Sequence, residues 1–385
     1  MVGEGVPVSR PDVSVVVVNY NGRKHLEHLL PTLEEQTLPA STFEILLVDN
    51  GSKDDSLAWI ARRFPRVRFV SLKENHGFAG GNGEGIKAAL GEYVALVNND
   101  CRVTPGWLQA FSSRAAEDTV LSGKIVNWEG DRIDFIRGIL TFDGHAFQLH
   151  QGFPLDREEP GGNPGLPFPC GGNCFFPRDL YLRTGGFDPD FFAYLEDVDW
   201  GWRLWQRGAY VRYCPEALVH HRGSATGIRM GLLKRAFLFE KNAFVVFYKN
   251  AEDPLFHALL PAVLMAWEHR LAVLMKQDPG AWALMQDPYR DGPKRGSLSV
   301  SNDHILNHWR AFQWIHHHLG ELYEKRRIVQ EQRVRSDREF LECFPFWLIP
   351  TYPGDDLLFS NPAFLDLLPR DLPLKRADLT EVLKA

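Results

Sequence analysis

The run Val15-Val16-Val17-Val18 constrains this chain more than any other feature. Consecutive β-branched residues of this kind read as a strand buried on both faces, so helices must cover the sheet above and below. The theme then repeats. Asn19-Tyr20-Asn21-Gly22 reads as a turn, and Leu26, Leu29, Leu30 and Leu33 mark one face of a helix. Residues 43–48 form a second buried run, closed by Asp49-Asn50-Gly51-Ser52, and residues 57–63 are helical. Residues 67–71 are a third strand, 77–83 a glycine-rich turn, 84–90 a helix, and 93–97 a fourth strand ending at Asn98-Asn99-Asp100. This alternation predicts an α/β fold with a mostly parallel (mixed) central sheet flanked by helices. Ligands in such folds sit at the carboxyl ends of the strands, where the polar clusters of this sequence fall.

Beyond residue 120 the pattern shortens. Residues 154–169 read as a loop, and 211–213 and 217–219 as two short strands. After residue 230 the signals are helical, with Ile305, Trp309, Phe312, Ile315, Leu319 and Leu322 at helical steps. His316-His317-His318 falls inside that pattern as one side of a helix, not a metal site. We expect a catalytic domain over 1–230, split into halves of about 1–120 and 121–230, and a helical C-terminal region over 231–385. At 385 residues and 44% hydrophobic content the chain can bury a large core. Its net charge of −6 argues against a general nucleic-acid binder. The five cysteines form no C-x-x-C pair, which fits a reducing compartment. No signal peptide is evident, and no stretch reaches the roughly 18–20 apolar residues of a membrane span. The nearest, residues 255–267, contains His257 and Pro261 and is followed by Glu268, His269 and Arg270. The expectation is a soluble cytoplasmic protein in contact with a membrane surface.

Four constellations carry chemistry. In Glu196-Asp197-Val198-Asp199-Trp200-Gly201-Trp202-Arg203, a helix puts Glu196, Asp199 and Arg203 on one face and leaves Asp197 at its start. Such a carboxylate can take a proton from a hydroxyl; a capped helix with an ion-pair ladder explains the acids equally. Asp100, directly after a buried strand, suits a divalent cation on a diphosphate, or a plain Asx turn. His220-His221-Arg222 offers an imidazole for metal and a guanidinium for phosphate. Glu74-Asn75-His76-Gly77-Phe78-Ala79-Gly80-Gly81-Asn82-Gly83 lets a backbone approach a ligand, but it matches neither the dinucleotide nor the Walker pattern.

These segments, in this order, resemble the family 2 inverting glycosyltransferases of the GT-A fold. The matching residues run from Val15-Val16-Val17-Val18-Asn19-Tyr20-Asn21-Gly22 through Leu47-Val48-Asp49-Asn50-Gly51-Ser52 and Asn75-His76-Gly77-Phe78-Ala79-Gly80-Gly81-Asn82. They continue through Asn98-Asn99-Asp100, Cys170-Gly171-Gly172-Asn173, Gly185-Gly186-Phe187-Asp188 and Glu196-Asp197-Val198-Asp199 to His221, covering about residues 12–228. The nearest subgroup is the bacterial rhamnosyltransferase-like enzymes of surface polysaccharide synthesis. The resemblance implies a UDP- or dTDP-type sugar donor, a saccharide or lipid-linked acceptor, and a divalent metal, Mg²⁺ or Mn²⁺. It implies nucleotide contacts at Asn19, Tyr20, Asp49, Asn75, Gly80, Asn82 and Asn99. It places the metal on Asp100 and His221, and the general base on Asp197 of the Glu196-Asp197 pair. The D-x-D motif departs from the family pattern at Asn98 and Asn99, leaving one carboxylate. Gly171, Gly172, Asn173 and Trp200 are the candidates for the acceptor side, with Trp202, Phe191, Phe192 and Tyr194 further aromatics that could stack on a sugar or fill the core. Lys325, Arg326, Arg327, Arg333, Arg335 and Arg338 supply cations for anionic lipid at the inner face of the plasma membrane. The competing reading is a non-catalytic sugar-nucleotide-binding or scaffolding subunit, which the reduced Asn98-Asn99-Asp100 motif favours and the Glu196-Asp197 pair opposes.

Overall fold

A computed structural model describes residues 11–156, 165–223, 231–277 and 303–382. Its contacts divide the chain into two compact units, residues 1–138 with 148–223, and residues 139–147 with 224–385.

The first unit alternates as the apolar runs demand. Its elements are β1 (Val13–Asn19), α1 (Arg23–Glu34), β2 (Phe43–Asn50), α2 (Ser56–Arg63), β3 (Val67–Leu72), α3 (Gly77–Ala88) and β4 (Tyr93–Val97). There follow β5 (Cys101–Val103), α4 (Trp107–Ser112), β6 (Thr119–Asn127) and β7 (Ile133–Phe135). A short hairpin of β8 (Gly138–Leu140) and β9 (Ala146–Gln148) belongs mostly to the other unit. The first unit ends with β10 (Asn173–Pro177), α5 (Arg178–Arg183), α6 (Glu196–Gln206) and β11 (Tyr210–His221). The sheet order is β3-β2-β1-β4-β10-β6-β11-β5, with β7 beside β6. Strands β1 to β4 are parallel and β10 runs antiparallel between β4 and β6, so the sheet is mixed. Leu26, Leu29, Leu30 and Leu33 are fully buried, as the helical spacing predicts.

Two elements differ from their sequence reading. Residues 77–83 are the first turns of α3, not a turn preceding a helix. Glycine is a poor helix former, but here the sheet comes too close for side chains. A Cβ on Gly85 would lie 2.6 Å from Val16 Cγ1 and 2.7 Å from Val48 Cγ2, and one on Gly81 would lie 2.9 Å from Val18 Cγ1. The two short strands expected at 211–213 and 217–219 are one strand, β11, parallel to β6, with a register shift between Cys214 and Leu218 where Pro215 interrupts the pattern.

The second unit is mainly helical, with helices Leu232–Asn250, Asp253–Lys276, Asp303–His317 and Leu319–Glu331. The apolar pattern read across 305–322 breaks at His318 into two helices, leaving Trp309, Phe312 and Leu319 exposed while Ile305, Ile315 and Leu322 are buried. His317 and His318 bond back to the Gln313 and Trp314 carbonyls, so the triplet caps a helix end. The apolar stretch is also longer than the sequence suggests. The helix Asp253–Lys276 passes through Pro261, has an 18-residue window of mean hydropathy 1.4, and by length and composition alone could cross a membrane. Arg270 does not break it because Asp143 and Asp355 neutralise the guanidinium, at 2.7 and 3.0 Å.

The basic stretch 325–338 is not the open cationic patch expected. Arg326 is buried on Asp253 and the Tyr248 carbonyl, Arg327 pairs with Glu324 and Glu331, Arg333 with Asp337, and Arg338 with Glu342. Each of these four arginines is matched by a nearby carboxylate, so the stretch is not a run of unbalanced positive charge.

Candidate active site

The carboxyl ends of β1, β2 and β4 bring the early motifs together. Asn19 and Asp49 are register partners at the ends of β1 and β2. Asn19 Nδ2 donates to Ser52 Oγ at 3.3 Å, and its Oδ1 accepts from Asn99 Nδ2 at 3.0 Å. Asp49 is 4% exposed, and its Oδ1 is buried without a hydrogen-bond partner. A buried acceptor left open is costly unless a ligand completes it. Tyr20 lies exposed beside them.

The glycine-rich segment is fastened from β2. Asn50 Nδ2 donates to Asn75 Oδ1 and to the Gly77 carbonyl, while Asn50 Oδ1 accepts from the His76 N–H. Asn75 thus orients the entry to α3. Asn82 is buried and bonds back to the Phe78 carbonyl, and Gly80 packs over His76.

Asp100 and His221 meet where β5 joins β11. His221 Nε2 is 3.3 Å from Asp100 Oδ1. His221 Nδ1 is 2.5 Å from Asp134 Oδ2. Burial lowers the affinity of the imidazole for a proton, but the hydrogen bonds and charges of Asp100 and Asp134 outweigh it and raise His221 to about 10. Burial likewise raises Asp100, and His221 outweighs it, holding the carboxyl below its usual range. Among the described residues, Asp100, Cys101 and His221 form a group whose donor atoms could converge on one metal ion. One carboxylate and one imidazole suit a hard or borderline cation such as Mg²⁺ or Mn²⁺. Cys101 fits less well, because burial pushes its thiol well above its usual value. His220 turns the other way, with Nδ1 at 3.4 Å from Arg102. The Arg222 N–H donates to the Asp100 carbonyl, and its guanidinium stacks over Trp128 with His28 at 3.1 Å. Residues 224–228, the end of the stretch that carries the resemblance, lie outside the described residues.

Asp197 stands in the first turn of α6. Its Oδ2 accepts from the Gly171 N–H at 3.0 Å and its Oδ1 from the Val198 N–H at 2.9 Å. Burial lifts its pKa to about 6 despite these bonds. Its neighbour Glu196 has a buried, unpartnered Oε2. Burial, then the charge of Asp197, pushes Glu196 well above the usual carboxylate range. Arg203 takes Asp199 at 2.7 Å, so the ion pair on α6 is Arg203–Asp199 and excludes Glu196. The segment leading into α6 is strained: Phe192, Tyr194 and Leu195 have φ of 61°, 72° and 64°. Non-glycine residues in this region cost of order 1–3 kcal/mol each and cluster at functional sites. The Phe192 carbonyl accepts from the Ala79 N–H, linking this segment to α3.

Two acceptor-side candidates are structural instead. Trp200 is fully buried, donates to Thr184 Oγ1 at 2.9 Å, and packs edge-on against Phe176, Tyr181 and Phe187. No sugar can reach it. Asn173 is fully buried too, with its amide spent on Trp107 Nε1 and the Lys124 and Ala217 carbonyls. Trp202 and Phe191 are core, whereas Phe192 and Tyr194 remain half-buried. Gly171 lies beside the base candidate and Gly172 beside the Asn98 amide: a Cβ on Gly171 would be 3.5 Å from Asp197 Oδ2, and one on Gly172 would be 2.8 Å from Asn98 Nδ2. Sequence reasoning missed Asp134, which lies between Ile133 and Phe135 like any outward residue of an edge strand.

A mixed sheet with polar residues at the carboxyl ends of its parallel strands, an acid–imidazole pair and a separate carboxylate at a helix start are the arrangement expected of a GT-A glycosyltransferase. A family model for glycosyl transferase family 2 matches residues 14–184. An N-acetylglucosaminyl-diphospho-decaprenol L-rhamnosyltransferase of Mycobacterium tuberculosis is 30% identical over 241 residues, 55% of this chain and 77% of the relative. The glycosyltransferase AglE of Haloferax volcanii is 30% identical over 241 residues, 61% of this chain and 74% of the relative. The crystal structure of GalNAc-T7 with UDP, GalNAc and Mn²⁺ superposes with a TM-score of 0.51 at 18% identity, over 66% of this chain and 51% of that one. The chain belongs to glycosyl transferase family 2. The stretch matched by the family model ends before Asp197 and His221, so their roles rest on geometry and motif order.

Proposed function

We propose that this chain is an inverting, metal-assisted glycosyltransferase of envelope polysaccharide assembly. It moves a sugar, in the rhamnosyltransferase-like case a deoxyhexose, from a UDP- or dTDP-sugar to a hydroxyl of a saccharide or lipid-linked acceptor. The observation that carries the reading is Asp197. It is a half-buried carboxylate with both oxygens fixed by backbone N–H groups and its pKa lifted toward neutrality, on the same unit as Asp100 and His221. A positioned base contributes roughly 10²–10⁴-fold when its pKa lies near the working pH.

In this mechanism Asp49 takes the base or ribose of the donor, and Asn19 and Tyr20 line the first turn. Asp197 removes the proton from the acceptor hydroxyl as that oxygen attacks the anomeric carbon, and the nucleoside diphosphate leaves from the opposite face. Asp100 and His221 would hold a divalent cation, which when bound offsets the charge of the leaving diphosphate. Arg222 adds a guanidinium beside them. Residues 1–230 are the catalytic domain in this reading. The helical remainder meets the membrane that carries a lipid-linked acceptor, through exposed Leu264, Met265, Trp309 and Phe312. Co-sedimentation with phosphatidylglycerol vesicles tests that contact; loss of binding in W309E/F312E is expected, and no binding by the native chain refutes it.

Thermal-shift titration with UDP, dTDP and GDP, each with and without Mn²⁺, tests the donor site. Stabilisation by one pyrimidine diphosphate, enhanced by Mn²⁺ and no longer enhanced in D100A, is the expected result. No stabilisation by any of them would favour the scaffolding reading, for which the reduced Asn98-Asn99-Asp100 motif is the supporting feature.

A further inference from the structure

His221 is gripped on both ring nitrogens, and only one of the two partners belongs to a family motif. Asp100 faces Nε2, while Asp134 Oδ2 accepts from Nδ1 at 2.5 Å. Asp134 reaches His221 across β6, since β7 and β11 both pair with that strand. What permits the reach is a bulge. Val126 pairs with Ile133 and Ile125 with Phe135, so Asp134 is an extra residue with no partner on β6. An extra residue of this kind re-aims a side chain, and bulges concentrate next to active sites. The carboxylate is itself oriented, because Gln151 Nε2 donates to Asp134 Oδ1 at 3.1 Å.

We propose that Asp134 is the positioning residue of the cation-holding histidine. By accepting the Nδ1 proton it fixes the ring plane and the tautomer whose Nε2 lone pair points toward Asp100. A neutral imidazole has one donor nitrogen and one acceptor nitrogen, so holding the proton on Nδ1 leaves Nε2 free as a ligand. Metal-ligating histidines donate their other N–H to a carboxylate in this way, and removing that partner costs roughly 10–100-fold in metal affinity. The inference rests on the reading that Asp100 and His221 hold a divalent cation. An edge-strand fastener would show the same hydrogen bond but leave cation affinity unchanged.

The test measures Mn²⁺ binding to the full chain by electron paramagnetic resonance, for the native protein, H221A, D134A, D134N and Q151A. The expected order is D134A weakened about 10–100-fold, D134N weakened less because its amide oxygen still accepts from Nδ1, and Q151A weakened least. In ¹⁵N-edited spectra with Mg²⁺, the native His221 carries its proton on Nδ1, and D134A loses that signature. If D134A does not fold, D134N and Q151A carry the comparison. Native affinity in all three overturns the inference, and if H221A still loses Mn²⁺ the cation site itself stands. No Mn²⁺ binding by the native chain overturns both.

Discussion

Replacing Asp197 with Asn separates proton transfer from binding and from folding. The carboxylate accepts two backbone N–H bonds, one on each oxygen. An amide accepts on one side only and presents its own N–H₂ to the other donor, which costs about 1–3 kcal/mol. Against this, the native carboxylate has been lifted from its ordinary 3.8 to about 6. A carboxyl raised in the folded state loses stability as pH rises through that value, so at pH 7 its ionised form costs about 2–3 kcal/mol that a neutral amide avoids. The two effects nearly cancel, and the melting temperature of D197N should stay close to native. Activity should not. Loss of a positioned base predicts a fall of roughly 10²–10⁴ in kcat, about 3–5 kcal/mol of barrier, with nucleotide affinity unchanged. The native pH profile carries the same signature. The base must be ionised, so kcat/KM should rise through pH 6 and stand near a tenth of its plateau at about pH 5. An ordinary carboxyl would show no loss there. Burial and the charge of Asp197 push Glu196 well above the usual carboxylate range, so a neutral amide is a close substitute and E196Q should keep activity within about tenfold. The assays are transfer of radiolabelled sugar from the donor identified by nucleotide binding, and calorimetry with the matching nucleoside diphosphate. D197N near native activity with E196Q collapsed would move the base to Glu196. A parallel loss of nucleotide affinity in D197N would refute the division of roles altogether.

Other consequences follow from burial. W200A removes a fully buried indole from between Phe176, Tyr181 and Phe187, and should cost about 3–5 kcal/mol by urea denaturation; a stable W200A with raised acceptor KM would return Trp200 to the acceptor site. In the second unit, burial alone would lower His145, but Asp143 and Glu240 outweigh it and raise it from 6.5 to about 9. That contribution is present below pH 6.5 and is lost as pH rises through 9. Burial alone would raise Glu240, but His145 outweighs it and holds the carboxyl near 2, so its contribution is present above its usual 4.5 and is lost as pH falls. Stability of this unit should therefore be greatest between about pH 4.5 and 6.5. R270M, which strips the cation from Asp143 and Asp355, should cost about 3–5 kcal/mol, checked by denaturation at pH 6. A flat profile from pH 6 to 10 would refute the linkage.

Strands β1, β2 and β4 were legible because strands buried on both faces need no alternation, and Val15 to Val18 spell such a strand outright. The face of α1 was legible for the complementary reason, four leucines at helical steps. The start of α3 was hidden because its glycines are demanded by Val16, Val18 and Val48, residues of two other strands. Nothing local says that a poor helix former is helical when the reason is a neighbour's side chain. The basic stretch misled in the same way. Arg326 is neutralised by Asp253, 73 residues away, and that distance is invisible to a reading of charge along the chain.

The candidate site divides by a simple physical test, namely whether a motif residue has already used its hydrogen-bonding capacity. Asn50 and Asn173 have spent both ends of their amides on backbone and neighbouring side chains, and so are structural. Asn75 has used its Oδ1 and Asn82 its Nδ2, which leaves the other end of each amide for a ligand. Asp49 keeps a buried acceptor open, and Glu196 keeps another. Asp197 has both oxygens held, yet the carboxylate offers about four lone-pair sites, so it can still receive a proton. Asp100 and His221 lean on each other, an arrangement that a cation could replace with bonds of its own. The sequence marks all of these positions alike, because a motif records which residues an architecture needs and not why. Trp200 and Asp134 show both sides of that. Trp200 stands inside the acidic motif and serves the core, whereas Asp134 stands outside every motif and holds the histidine.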